Sequence, residues 1–345
     1  MTASRACTLT ALFFGTALSA QAQAEAQVLV LVPPRAPSSP QHFIYVGRDR
    51  ERLTDSVFLN HPAIAGAQVR YTWRELEPAR DQYDFRPVVD DIATLAAHGK
   101  RLFMQVQDVT FSENLPVPDY LMSDAFGGGA ERKWESGASG VQFDGWMARR
   151  WDAQVRGRFT RLLDTLGNVV AARIAGINLP ETATAFDNGK APPRGYSPDA
   201  YAEGIKLLMS AARRAFPNAV VIQYANFMPG EAPPSTPFLR AIYAHAAAIG
   251  VGVGGPDILP FRRFQQRNSL PLIAGRPAHV VAGMAVQDGN LEEVNPATGR
   301  RVTVAELYRY AVQELHLNYI FWGTEEPFYT NAVLPFLRTR NARRE

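Results

Sequence analysis

The chain has 345 residues, 46% of them hydrophobic and 20% charged, with a formal net charge of +3. This is ordinary globular usage with ample apolar material for a core. The charge excess is too small to mark a nucleic-acid partner or an anionic membrane surface, and part of it sits in the C-terminal RTRNARRE, which reads as a solvated end.

Residues 1–24 carry one arginine, an apolar run from Leu9 to Leu18 and an Ala-Gln-Ala stretch. That is the layout of a cleavable secretory signal peptide, with cleavage expected after Ala22 or Ala24. The run is too short to span a bilayer, so no stable membrane insertion is expected. The expected location is secreted or periplasmic. Cys7 is the only cysteine and precedes the run, so it is lost with the leader. The remaining protein then has no disulfide, no cysteine nucleophile and no thiolate metal site. Residues 25–40 read as a linker, and 41–345 as the folded domain.

From there short apolar runs alternate with helical patterns. HFIYVGRD is a first strand, SVFLNHPAIAG a short helical connection and AQVRYTW a second strand. FRPVVDDIATLAAHG is an amphipathic helix with Val88, Ile92, Leu95 and Ala96 on one face, and KRLFMQVQDVTF a third strand. Ser112 to Gly145 follows as a long irregular stretch, expected to fold over the strand ends as a pocket wall carrying Trp134 and Phe143, with Trp146 just beyond. Helix WDAQVRGRFTRLLDTL then leads to strand RIAGINLPE. SPDAYAEGIKLLMSAARRAF, opened by a Ser-Pro cap signal, leads to AVVIQYANFM. TPFLRAIYAHAAAIG leads to VGVGGPD, RFQQRNS to AHVVAGMAVQ, and TVAELYRYAVQELH to NYIFWG, with NAVLPFLRTR as the last helix. Helices between successive strands require parallel crossovers. Eight such units close into an α/β fold of the (β/α)8 TIM-barrel type, a single domain with a long loop after strand three. An open doubly wound sheet fits less well, because no glycine-rich phosphate loop follows the first strand. GVGVGGP lacks the Lys-Ser/Thr of a phosphate loop, and no cofactor is expected.

In such barrels chemistry sits at the carboxyl ends of the strands. Here those ends carry Arg70, Tyr71 and Trp73; Gln105, Gln107 and Asp108; Asn178 and Glu181; Tyr224 and Asn226; Asp257; Gln287 and Asp288; and Trp322, Glu325 and Glu326. Polar or ring-bearing residues at seven consecutive ends describe a wet, deep pocket. Single members have plainer readings: Asp108 and Asp288 as caps, Glu325 and Glu326 as first-turn carboxylates, Trp322 as core. Arg70 within an apolar strand must be paired. Glu181 is followed by Thr182-Ala183 rather than by a helical run that it would cap. The six histidines show no pair at ligand spacing, so no metal site is expected, and no G-x-S-x-G elbow is present.

YTWRELEPARDQYDFRPVVDDIATLAAHGKRLFMQV, with Trp73, Glu77-Pro78 and Tyr83-Asp84-Phe85, resembles the second barrel unit of the clan of (β/α)8 glycoside hydrolases. It is closest to the beta-galactosidase-like family 42 group. The resemblance implies an acid/base glutamate at the end of strand four, matching Glu181, an arginine at the end of strand two, matching Arg70, and a tryptophan on strand eight, matching Trp322. Two departures stand out. Leu179 and Pro180 separate Asn178 from Glu181, where the family has Asn directly before Glu. The family nucleophile ends strand seven, where this chain has Gln287.

The resulting expectation is a glycoside hydrolase acting on an oligo- or polysaccharide, its carboxyl pair separated by about 5–5.5 Å for retention or about 6.5–9.5 Å for inversion. Glu181 is the expected general acid, its pKa raised by a ring-lined pocket. Asp288 is favoured slightly over Glu325 as its partner, because strands four and seven lie on opposing sides of the mouth. Gln105, Asn178, Tyr224 and Asn226 would bond sugar hydroxyls, while Trp73, Trp322 and Phe227 would stack on sugar faces. The alternative is a non-catalytic carbohydrate-binding barrel in which Gln287 marks a lost nucleophile.

Overall fold

The computed structural model describes residues 36–137, 140–186 and 191–341; the expected leader with Cys7, and most of the linker, lie outside them. Eight parallel strands follow one another around a closed barrel: β1 (Gln41–Gly47), β2 (Ile64–Thr72), β3 (Arg101–Gln107), β4 (Gly176–Leu179), β5 (Val220–Tyr224), β6 (Gly252–Gly255), β7 (Ala282–Val286) and β8 (Tyr319–Gly323). The ring closes where Phe43 of β1 pairs with Phe321 of β8. Helices cover the outside, as the alternating pattern requires. Helix Ala153–Val170 starts on Asp152, whose carboxylate accepts from the amides of Gln154 and Val155. It buries Val155, Phe159, Leu162, Leu163, Leu166 and Val170 along one stripe. Helix Pro198–Ala215 starts on Ser197 with a proline at the first turn. Among the described residues no helix is long and apolar enough to cross a membrane.

Inside the barrel, side chains stack in tiers. Alternation along each strand turns Phe43, Phe103, Tyr319 and Phe321 inward as an aromatic plug. Its rings meet edge-on, Phe103 and Phe321 at 4.8 Å between centroids and Phe43 and Phe103 at 5.6 Å. Gly176 makes room for it, since a Cβ there would collide with the Phe103 ring. Above the plug lies a polar tier, where Gln68 Nε2 donates to Asn178 Oδ1 (2.9 Å) and to the Tyr224 hydroxyl (3.1 Å). Tyr45, Arg70, Gln105 and Gln287 form the tier above, at the mouth.

Two segments differ from the sequence reading. Ile64-Ala65-Gly66 belongs to β2, not to the preceding helical connection. Gly66 passes so close to the Arg101 carbonyl of β3 that no side chain fits. The stretch Ser112 to Gly145 is irregular only in its first half, up to Gly129. It contains an antiparallel hairpin, Ala130–Gly137 and Gly140–Ala148, pairing Arg132 with Trp146 and Trp134 with Phe143. A register shift beside Lys133 leaves Asp144 as an extra residue, a β-bulge that turns it toward Lys133. Backbone bonds fasten the hairpin on both sides, from Trp134 N to the Ala185 carbonyl (2.7 Å) and from Thr110 N to the Trp146 carbonyl (2.8 Å).

Candidate active site at the barrel mouth

Glu181 leaves β4 after Pro180, and its main chain is clamped before its side chain does anything. Arg150, buried, donates to the Glu181 carbonyl (2.7 Å), to the Tyr201 hydroxyl (2.9 Å) and, through both ends of its fork, to Asp108 at 2.8 and 2.6 Å. Tyr201 in turn donates to the Thr182 carbonyl (3.1 Å). Asp108 therefore anchors an arginine rather than capping a loop.

The Glu181 carboxyl accepts from Asn226 Nδ2 at 2.6 Å. The orientation of that amide is set from its other end, where Asn226 Oδ1 accepts from the Phe227 amide (2.9 Å). Burial pushes the Glu181 pKa up, against the Asn226 hydrogen bond and the charges of Lys133 and Arg70, while the charge of Asp257 pushes it up further. Arg70 rises from β2, donates to Gln105 (2.9 Å) and to Gln287 Oε1 (3.4 Å), and lies with its guanidinium carbon 4.9 Å from the Tyr45 ring centre. The Tyr45 hydroxyl is pushed up to about 12, chiefly by burial, and feels Arg70, Asp288, Asp257 and Glu181. These groups share one mouth.

Asp257, carried past the end of β6, is half-buried, and its carboxylate accepts from Asn290 Nδ2 (2.9 Å). Burial raises its pKa too, opposed by the Asn290 bond and by Arg262 and Arg70. Gln287 is held at both ends of its amide: Oε1 faces Arg70, and Nε2 donates to the Pro256 carbonyl at 2.9 Å, next to Asp257. Asp288 is exposed, and Glu325 accepts from the neighbouring Gly289 amide (2.9 Å), so both lie along the rim. Lys133 reaches in from the hairpin, bonds Asp144 (3.0 Å) and sits 3.4 Å from the Phe111 ring centre. Among the described residues no group of His, Cys, Asp and Glu is placed to hold a metal ion.

Two of the three expected stacking residues, Trp322 and Trp73, are not in the mouth. Trp322 is 1% exposed and points outward, because Phe321 takes the inward position; its indole donates to His42 Nδ1 (3.1 Å). Trp73 is 0% exposed and opens a one-turn helix outside the barrel, where it packs on Phe159 and donates to Glu77 (2.8 Å). Glu77 is itself buried against Arg158. Asn178 and Tyr224 lie one tier below the mouth, in the polar floor. Asn226, Gln105, Arg70 and Gln287 do line the mouth, and Phe227 packs on Phe264 at its edge. Sequence reasoning passed over Lys133 and Arg150, and it noted Asp257 without choosing it. A signal for Asp257 was present, since β6 is Gly-Val-Gly-Gly, nearly free of side chains below a lone carboxylate.

The direction of the Glu181 shift has a measurable consequence. A carboxyl raised above its ordinary value of 4.5 is easier to protonate folded than unfolded. Its contribution to stability is present at low pH and is lost as pH rises through the folded pKa. Glu181→Gln, which cannot ionise, is expected to raise the melting temperature at pH 8 and leave it close to the parent's at pH 4. An equal shift at both pH values would mean that the burial penalty is not what Glu181 carries.

No protein-family model matches this chain, and no curated protein sequence matches it. Solved structures do. The catalytic domain of beta-amylase from Paenibacillus polymyxa superposes with a TM-score of 0.56 at 7% identity, over 82% of this chain and 93% of that one. A GH5_18 protein from Streptomyces cattleya, in complex with Manb1-4GlcNAc, gives 0.53 at 14% identity over 82% and 70%. Beta-galactosidase from the psychrophilic Marinomonas ef1 gives 0.52 at 9% identity over 82% of this chain and 53% of that one. At such identities the likeness establishes the architecture, and the chain is a (β/α)8 barrel.

Proposed function

We propose that this barrel is a glycoside hydrolase acting on an oligo- or polysaccharide, with Glu181 as general acid and Asp257, rather than Asp288, as the opposing carboxylate. The observation that carries the reading is the placement of the two carboxyls, each half-buried at the mouth and held by an asparagine amide. Both lie beside Arg70, burial raises the pKa of each, and the charge of Asp257 adds to the rise at Glu181. Two carboxyls with perturbed pKa values sharing one cleft are the groups expected to take acid and base roles. Glu181 would protonate the glycosidic oxygen as the bond to the anomeric carbon breaks. Asp257, ionised, would attack that carbon or take a proton from the water that does. Arg70 and Gln105 line the space between and would meet sugar hydroxyls. Support also comes from the fold, which is shared with the beta-amylase and beta-galactosidase named above.

The non-catalytic alternative leaned on Gln287 as a vacated nucleophile. In this mouth the amide bridges Arg70 and the Pro256 carbonyl, and so positions the residue before Asp257. The test is to incubate the protein with a panel of oligosaccharides and to follow new reducing ends and the anomeric configuration of the product by NMR. Cleavage of one class is expected. Binding without cleavage of any bound sugar would return the protein to the non-catalytic reading.

Export belongs to the same proposal. Protein recovered outside the cytoplasm is expected to have the intact mass of a chain lacking residues 1–22 or 1–24, and a mass that retains Cys7 would count against it.

A further inference from the structure

Beyond the mouth, on the β1–β2 side, lies a cavity of about 540 Å³ lined by Arg48, Thr72, Arg74, Glu75, Glu113 and Asp119, among others. It adjoins the candidate site along two strands. Thr72 stands two residues past Arg70 on β2, and Arg48 three residues past Tyr45, just after β1. We propose that this cavity is a distal sugar subsite, so that the substrate is a chain with at least one further sugar unit beyond the cleaved bond. The proposal rests on the hydrolase reading and deepens it.

The volume lies within the range that holds small ligands. Its chemistry selects among them. Arg48 and Arg74 face Glu75, Glu113 and Asp119, so the lining carries no positive excess to hold a phosphate or a carboxylate. Donors and acceptors side by side suit vicinal hydroxyls, which give and take hydrogen bonds at once. Arg48 and Glu75 form a loose ion pair at 3.6 Å with side chains 57% and 28% exposed, and Glu75 also accepts from the Thr72 amide, which leaves the Arg48 guanidinium the freer of the two to meet a ligand.

The walls are formed before any ligand arrives. Arg74 is held by both Asp119 oxygens at 2.6 Å, and its amide donates to the Pro116 carbonyl (2.9 Å). Thr110 Oγ1 donates to the Asn114 carbonyl (2.8 Å), and the Trp146 indole, from the hairpin, donates to the Glu113 carbonyl (3.2 Å). A braced cavity loses less freedom on binding, which favours affinity for the added sugar unit.

The experiment compares Arg48→Ala and Glu113→Ala with the parent. Both residues are exposed and outside the proposed catalytic groups. Substrates are the 4-nitrophenyl monoglycosides and the malto-, cello-, xylo-, manno- and galacto-oligosaccharides of increasing length. For the parent, kcat/KM is expected to rise with chain length. In each variant it should fall about tenfold on the longer chains, the loss of one charged hydrogen bond, and stay unchanged on the monoglycoside. Variants equal to the parent at every length would overturn the subsite. Should the parent cleave nothing, calorimetric titration of the same oligosaccharides separates the two ideas. Affinity that grows with length and drops in Arg48→Ala keeps the subsite while the hydrolase reading fails, and affinity indifferent to both sinks it.

Discussion

Glu181→Gln and Asp257→Asn are each expected to lower turnover by at least about 100-fold, the low end of a general acid–base contribution, with substrate affinity nearly kept. Asp288→Asn should stay within a few-fold of the parent. The contrast follows from position. Glu181 and Asp257 are half-buried beside Arg70, and Asp288 is exposed on the rim turn. Glu325 is half-buried, but its carboxylate accepts from the Gly289 amide of the same rim turn as Asp288. An activated substrate whose leaving group needs no proton should restore much of the Glu181→Gln rate and little of the Asp257→Asn rate. If Asp288→Asn proves the crippling change while Asp257→Asn is mild, the choice of partner is wrong and the acid assignment survives.

The second large effect is on stability. Arg150→Met is expected to cost about 3–5 kcal/mol, because it leaves the Asp108 carboxylate buried without its counter-charge. Both side chains of that pair are 2% exposed. The substitution also strips donors from the Glu181 carbonyl and the Tyr201 hydroxyl, so the folded fraction should lose activity as well. Removing both charges, as Arg150→Met with Asp108→Leu, should recover much of the stability and none of the lost positioning. Denaturant unfolding checks the first statement, and kcat of the double variant under native conditions checks the second. A double variant no more stable than the single one would mean that the pair matters for packing rather than for charge.

The barrel was legible because each unit writes its own period, two along a strand and 3.6 along a helix, and eight repeats leave little choice of architecture. Side-chain direction was harder. The Trp322 error came from counting strand ends without parity. Tyr319 and Phe321 must fill the plug, and that alone turns Trp322 toward the helices. Trp73 fails for another reason: the strand stops at Thr72, and the Trp-Glu-Pro run that carried the resemblance is spent on a buried contact between Trp73, Glu77 and Arg158. The hairpin escaped notice because its bulge at Asp144 breaks the alternation that marks a strand. Arg150 meeting Asp108 across 42 positions, and Lys133 reaching the mouth from that hairpin, are tertiary facts with no local trace. Glu181 was readable for the opposite reason, as a carboxyl with no local structural task.

The doubly held amide of Gln287 bears on how this barrel can be re-engineered. A carboxylate at that position would suit Arg70 but would turn an oxygen toward the Pro256 carbonyl, where the amide now donates. Two acceptors would face each other at 2.9 Å and push apart, shifting the segment that carries Asp257. A glutamate therefore cannot be installed on strand seven by one substitution without disturbing the carboxylate one strand away. The route to it needs a companion change that frees the Pro256 carbonyl or gives it a new donor, and directed evolution from this sequence should find the two together or neither.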